Sequence, residues 1–110
     1  MNVTTMIDAT TARIIPHGEI DHTALPKLRA VIEALPHDVT ELVWDLHDTP
    51  FLDSAGLHLL TDPPPTGTPQ RRTQVTALQT QPLQFLRTAE TLFPHLDLTA
   101  LLPGAHPRAA

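Results

Sequence analysis

The sequence contains no cysteine and no tyrosine, and only four glycines, three phenylalanines and one tryptophan in 110 residues. Without cysteine there are no disulfides, no thiolate nucleophile and no Cys-based zinc site, a composition that fits a reducing cytoplasm. At this length one domain can bury a core without such staples. Basic residues are also scarce: seven Lys and Arg stand against twelve Asp and Glu, for a net charge of −5. Six of the seven are arginines, and only Arg71-Arg72 are adjacent. No cationic stripe exists to neutralise a phosphate backbone, so direct nucleic-acid binding is not expected. No stretch approaches the ~20 apolar residues that cross a bilayer, and Met1 to Met6 lacks the basic start and apolar run of a leader. Neither secretion nor membrane insertion is expected. A glycine-rich phosphate loop is missing as well, so no nucleotide or other cofactor is expected.

What the chain does have is proline, twelve residues of it, in a composition that is 41% hydrophobic and 17% charged and therefore globular. The prolines punctuate a readable pattern. Val3 to Ile7 and Ala12 to Ile15 are rich in β-branched residues and flank the polar Asp8-Ala9-Thr10-Thr11, which predicts a hairpin. Pro16 should end the second strand or sit on an edge. Thr23 is placed to cap a helix in which Leu25, Leu28, Val31, Ile32 and Leu35 recur at helical spacing, with Pro26 in its first turn and Pro36 beyond its end. Leu42-Val43-Trp44-Asp45-Leu46 reads as a strand buried on both faces. A second helix is expected from Ser54, with Leu57 and Leu60 inward, stopped by Pro63-Pro64-Pro65 after about two turns. Thr66 to Arg72 reads as loop and Gln74 to Leu78 as a strand. A third helix carries Leu83, Leu86, Ala89, Leu92 and Phe93, with Pro82 at its first position. Leu96 to Leu102 is a short apolar stretch, and 103–110 reads as a flexible tail. This order implies an α/β fold: a mixed four- to five-stranded sheet with about three helices packed on one side.

Two short stretches remain after the fold is accounted for: Gly18-Glu19-Ile20-Asp21-His22-Thr23, and Asp45-Leu46 leading to Phe51-Leu52-Asp53-Ser54-Ala55-Gly56-Leu57. The first resembles the G-E-[LI]-D signature after the second strand of STAS domains. The second resembles their D-S-[AS]-G-L signature, and order, spacing and secondary-structure context agree. The resemblance is to the anti-sigma factor antagonists and implies a single STAS-like domain over 1–102. It implies a protein that binds an anti-sigma factor serine kinase while unphosphorylated and releases it when the serine of the D-S-x-G motif is phosphorylated. A separate phosphatase restores the free hydroxyl.

On this chain that serine is Ser54, and the implied partner-binding residues are Asp21, Asp53, Ser54, Ala55, Gly56 and Leu57. Gly56 is expected to let a partner approach the backbone, and Asp21 to lie near the phosphorylation site. Physical chemistry supports the assignment independently. A serine at a helix start can cap free N–H groups, and those same groups with the helix dipole favour phosphate. Phosphorylation would add a charge of about −1.5 to −2 beside Asp53 and Asp21.

Each residue also has an ordinary reading: Ser54 as a plain N-cap, Asp21 as a turn residue starting the first helix, and Asp45 as a strand-end hydrogen-bonding group. The histidines His17, His22, His37, His47, His58, His95 and His106 show no metal-ligand spacing, so no metal is expected. Ser54, His58 and an aspartate invite a hydrolase triad, but D-S-A-G is not a nucleophile elbow. Finally, Asp62 to Pro69 replaces a stretch where the second helix continues in the family. The alternative function is accordingly a STAS-type scaffold that does not switch by phosphorylation.

Overall fold

The computed structural model describes residues 1–61, 67 and 69–93. The chain runs β1 (Asn2–Asp8), β2 (Thr11–His17), α1 (Leu25–Glu33), β3 (Glu41–Asp45), α2 (Ser54–Thr61), β4 (Arg72–Thr76) and α3 (Thr80–Leu92). The strands form one sheet in the order β1-β2-β3-β4, antiparallel between β1 and β2 and parallel thereafter. Pro63-Pro64-Pro65, Leu96 to Leu102 and the tail expected at 103–110 lie outside the described residues.

Residues of alternate parity face opposite sides of a strand, and here one parity is apolar. Ala12, Ile14, Leu42, Trp44 and Val75 turn one way and join Leu28, Leu57, Leu60, Leu86 and Ala89 of the three helices in a single buried cluster. The helices therefore cover one face, as expected. Among the described residues no helix covers the other face, which is mostly polar but also carries the buried Ile15 and the half-buried Val43. It carries Arg13 paired with Asp45 at 3.0 Å and Arg72 paired with Glu41 across the β3–β4 register.

Several local expectations change. β3 alternates buried and half-buried residues rather than being buried on both faces, because Val43 and Asp45 point to the open side. Pro16 neither ends β2 nor lies at an edge. It is buried inside a central strand, where it faces Val3 of β1, and its carbonyl accepts the Thr49 hydroxyl at 3.4 Å. A residue's N–H and C=O point to the same side of a strand, so the missing N–H lies on the β3 side. There the β2–β3 pairing has already ended at Ile14, and the proline costs no ladder bond.

The hairpin closes through Ala9 and Thr10, with Asp8 opposite Thr11 and Ala9 at φ 54°. β4 begins at Arg72 and ends at Thr76, earlier than the composition suggested, because Ala77 takes a φ of 58° and turns the chain. α3 starts at Thr80, two residues before Pro82, which is harmless because the first turn's N–H groups have no helical partner. Thr23 does not cap α1. Its hydroxyl instead donates to Asp21. The adjacent arginines are both engaged, Arg72 with Glu41 and Arg71 with the carbonyls of Val39 (2.8 Å) and Pro36 (3.0 Å).

Candidate functional site

Beyond the sheet proper, Ile20 and Leu52 form a parallel bridge. The Ile20 N–H donates to the Phe51 carbonyl at 3.0 Å and the Asp53 N–H to the Ile20 carbonyl at 3.4 Å. The two sequence motifs are thereby joined edge to edge, and Asp21 follows one strand of the bridge as Asp53 follows the other. On its far side, Leu52 is held by a residue that the motifs do not contain. The Gln81 side chain accepts the Leu52 N–H at 2.9 Å and donates to the Leu52 carbonyl at 3.0 Å. Gln79, at the N-cap position of α3, donates to the His47 carbonyl at 2.8 Å. The start of α3 thus anchors the loop that delivers Ser54.

Asp53, not Ser54, caps α2. Its Oδ1 accepts the N–H groups of Ala55 at 2.9 Å and Gly56 at 3.4 Å, while its carbonyl takes the first helical bond from Leu57 at 3.0 Å. The expectation that Ser54 supplies the cap is corrected, as is the idea that these first-turn N–H groups stand free for a phosphate. Aspartate is as good a cap as serine, and from one position earlier it takes the N–H groups of Ala55 and Gly56, the second of which a Ser54 cap would have needed. Ser54 is left as the first helical residue, exposed, and its hydroxyl has no hydrogen-bond partner among the described residues. The competing hydroxyls of Thr23 and Thr61 are both engaged, donating to Asp21 at 2.6 Å and to the Leu57 carbonyl at 2.7 Å.

Asp21 does what the ordinary reading assigns it. Its Oδ1 gathers the Thr23 hydroxyl, the Thr23 N–H at 3.1 Å and the Ala24 N–H at 3.3 Å, organising the turn into α1. The Thr23 hydroxyl, with these backbone donors and the nearby His22, holds its carboxyl below the usual aspartate range. Gly56 and Leu57 are buried, so neither presents a side chain outward. A Cβ on Gly56 would lie 2.2 Å from Leu52 Cδ1, 2.9 Å from Leu52 Cγ and 3.1 Å from Ile20 Cγ2. The glycine is thus required by the molecule's own packing. Asp53 and Ala55 are half-buried, and Phe51, two residues before Asp53, is exposed by 38%. Phe51 is thus an exposed large apolar side chain three residues before Ser54 in the sequence.

Asp45 works at the end of β3. Partial burial opposes its ionisation, but the His47 side chain, the His47 N–H and Arg13 outweigh that and keep the carboxyl below its ordinary range. His17 bridges Thr4 at 2.8 Å and Asp48 at 2.6 Å. Among the described residues no three His, Asp or Glu side chains converge as a metal site, and no helix is long and apolar enough to cross a membrane.

Comparison with solved structures gives this geometry a context. An anti-sigma factor antagonist from Mycobacterium paratuberculosis aligns with 98% of this chain and 86% of its own, at 26% identity and a TM-score of 0.63. The anti-sigma factor antagonist SpoIIAA in its unphosphorylated form aligns over 81% of this chain and 98% of its own, at 20% identity and a TM-score of 0.47. No family model and no curated protein matches the sequence. The four-stranded mixed sheet with three helices is a STAS-like fold. Within that class, the chain has the architecture of the anti-sigma factor antagonists, in agreement with its two motifs.

Proposed function

We propose that the protein is an anti-sigma factor antagonist, a non-enzymatic cytoplasmic regulator whose binding to an anti-sigma factor serine kinase is switched off by phosphorylation of Ser54 and restored by a phosphatase. The observation that carries this reading is the exposed Ser54 hydroxyl, which has no hydrogen-bond partner among the described residues. It stands at the start of α2 with its capping role taken by Asp53, so a kinase meets an acceptor that need not break a hydrogen bond. Asp53 and Ala55 flank Ser54 in the sequence, Asp21 follows the Ile20 strand that bridges Leu52, and the exposed Phe51 offers apolar area for a partner. Gly56 and Leu57 contribute from beneath, by fixing the backbone.

Phosphate at this place adds charge of about −1.5 to −2 next to the Asp53 carboxylate. A partner fitted to the neutral hydroxyl then faces repulsion and desolvation costing on the order of 2–5 kcal/mol, about a thirtyfold to several-thousandfold loss of affinity. Mapping phosphate on the chain purified from its host, with and without Ser54→Ala, tests the reading. Phosphate on Ser54 with loss of partner co-purification is expected. The same partner retained at full phosphate occupancy would instead establish the non-switching scaffold, a reading motivated by the proline run Pro63-Pro64-Pro65 in the sequence after α2.

A further inference from the structure

Among the described residues no strand pairs with the outer edge of β1, and that edge has a defined hydrogen-bonding phase. Opposite residues in an antiparallel pair alternate between those that exchange both backbone bonds and those whose N–H and C=O point away from one another. Val3 lies opposite Pro16, which has no N–H and whose carbonyl turns toward Thr49 on the β3 side. The same phase continues along the chain: Gly18 donates to the Asp48 carbonyl, again toward the segment after β3. Val3 and Pro16 therefore do not bond each other, and by alternation neither do Thr5 and Ile14 or Ile7 and Ala12. The N–H and C=O groups of Val3, Thr5 and Ile7 all project from the open edge.

Among the described residues this edge has none of the usual protections. β1 is seven residues long, carries no lysine, proline or glycine, pairs with β2 without a bulge, and is charged only at its last residue, Asp8. Ile7 and Met6 are exposed by 49% and 56%. We infer that β1 is a self-pairing interface through which two copies of this chain join antiparallel about a two-fold axis, continuing the sheet from one copy into the other. The occupant is a second copy because the strand is complementary to itself in one register. Centred on Thr5, the pairing overlaps the whole strand and sets Val3 against the second copy's Ile7 and Thr5 against the second copy's Thr5. These are the residues whose backbone groups are free. The same register puts Asp8 opposite Asn2, so the two carboxylates never meet, and brings Val3 and Ile7 together on the helix-covered side, where Ile7 lacks cover.

The proposal is independent of the switch at Ser54, and the phase supplies a selective test. Thr5→Pro removes an N–H that faces only the edge, leaving the β1–β2 ladder intact, and Thr5→Lys sets two like charges opposite each other at the two-fold axis. Sedimentation velocity of the full chain from about 1 μM to about 1 mM should show a concentration-dependent dimer, weakened on the order of tenfold or more by either variant. Circular dichroism shows whether Thr5→Pro is folded, and Thr5→Lys carries the test if it is not. Hydrogen exchange should slow at Val3, Thr5 and Ile7 as the dimer forms. A monomer at every concentration overturns the inference, as does a dimer indifferent to Thr5→Lys or one that leaves these three amides unprotected.

Discussion

The side chain of Gln81 pairs with both backbone polar groups of Leu52, at 2.9 and 3.0 Å, doing for that residue what a neighbouring strand would do. Leu52 itself is fully buried, and Ile20 occupies its other side. Replacing Gln81 by alanine leaves a buried N–H and C=O without partners, which costs about 1–3 kcal/mol. Gln81→Glu should fare little better, since the carboxylate accepts from the N–H but repels the carbonyl. Chemical denaturation reads the loss, and partner affinity should fall with it because the loop holding Ser54 loses its anchor.

At Gly56 the expected effect comes from within the fold. Gly56→Ala forces a methyl against Leu52 and Ile20, both fully buried, and overpacking of this kind costs about 1–3 kcal/mol. Trimming the obstacle in Gly56→Ala/Leu52→Ala should return part of that loss relative to the sum of the single changes, the non-additivity of residues in contact. Strict additivity in thermal or chemical unfolding would count against the packing account.

Capping separates the two adjacent motif residues. Asp53→Ala should cost about 0.5–2 kcal/mol, because it releases the Ala55 and Gly56 N–H groups. Ser54→Ala, removing an exposed and unbonded hydroxyl, should stay within about 0.5 kcal/mol of the parent. The reverse order would restore Ser54 as the cap.

These assignments show where sequence is informative. The β-branched stretches of the hairpin and the helical spacing of Leu25, Leu28, Val31, Ile32 and Leu35 made the layers legible, whereas the alternation of β3 was misread as burial on both faces because Leu42, Val43, Trp44 and Leu46 form a nearly continuous apolar run. The two motifs were legible as a pair, although sequence alone could not show that Ile20 bridges Leu52. Gln81 left no trace, since a helix-start glutamine looks like any solvated polar residue until the fold brings a buried strand beside it. Thr23 and Ser54 were read as caps because four residue types serve that role almost equally; in the fold Asp53 caps α2, and Asp21 binds the Thr23 hydroxyl and the Thr23 and Ala24 N–H groups at the turn into α1. Pro16 misled because its cost depends on which side its missing N–H faces, and that is decided by where β3 stops.

Acid should loosen the end of β3 through Asp45. Its folded pKa lies below the ordinary value, so its contribution is fully present above about pH 4, the unfolded aspartate value, and is lost as pH falls through the lowered folded value. Asp45→Asn should therefore lower stability at neutral pH and flatten its decline in acid. Unfolding free energies measured between neutral pH and strong acid test both halves. Parallel curves for the two proteins would show that Asp45 is not linked to the transition. Asp21, also held below its usual value, acts in the same direction at the turn into α1.

The final prediction concerns what phosphate does to α2 itself. Helix N-termini ordinarily welcome a phosphate, but here the Asp53 carboxylate already holds the N–H groups of Ala55 and Gly56. A phosphoryl group on Ser54 must either compete for those donors or remain in solvent beside a like charge. Both outcomes disturb the cap, so phosphorylation should weaken the first turn of α2 as well as repel a partner. Faster amide exchange at Ala55 and Gly56 is expected, with a loss of stability smaller than, or comparable to, the 0.5–2 kcal/mol or so of a deleted cap. Asp53→Asn separates the contributions. It keeps the side-chain acceptor while removing the charge, so it should restore ordered exchange to the phosphorylated helix. If partner release follows from the phosphate's own charge, affinity will still fall on phosphorylation of Asp53→Asn. If release requires the cap to break, phosphorylated Asp53→Asn will go on binding. Unchanged exchange at Ala55 and Gly56 on phosphorylation of the parent would show that the phosphate leaves Asp53 in place and that the switch resides wholly at the surface.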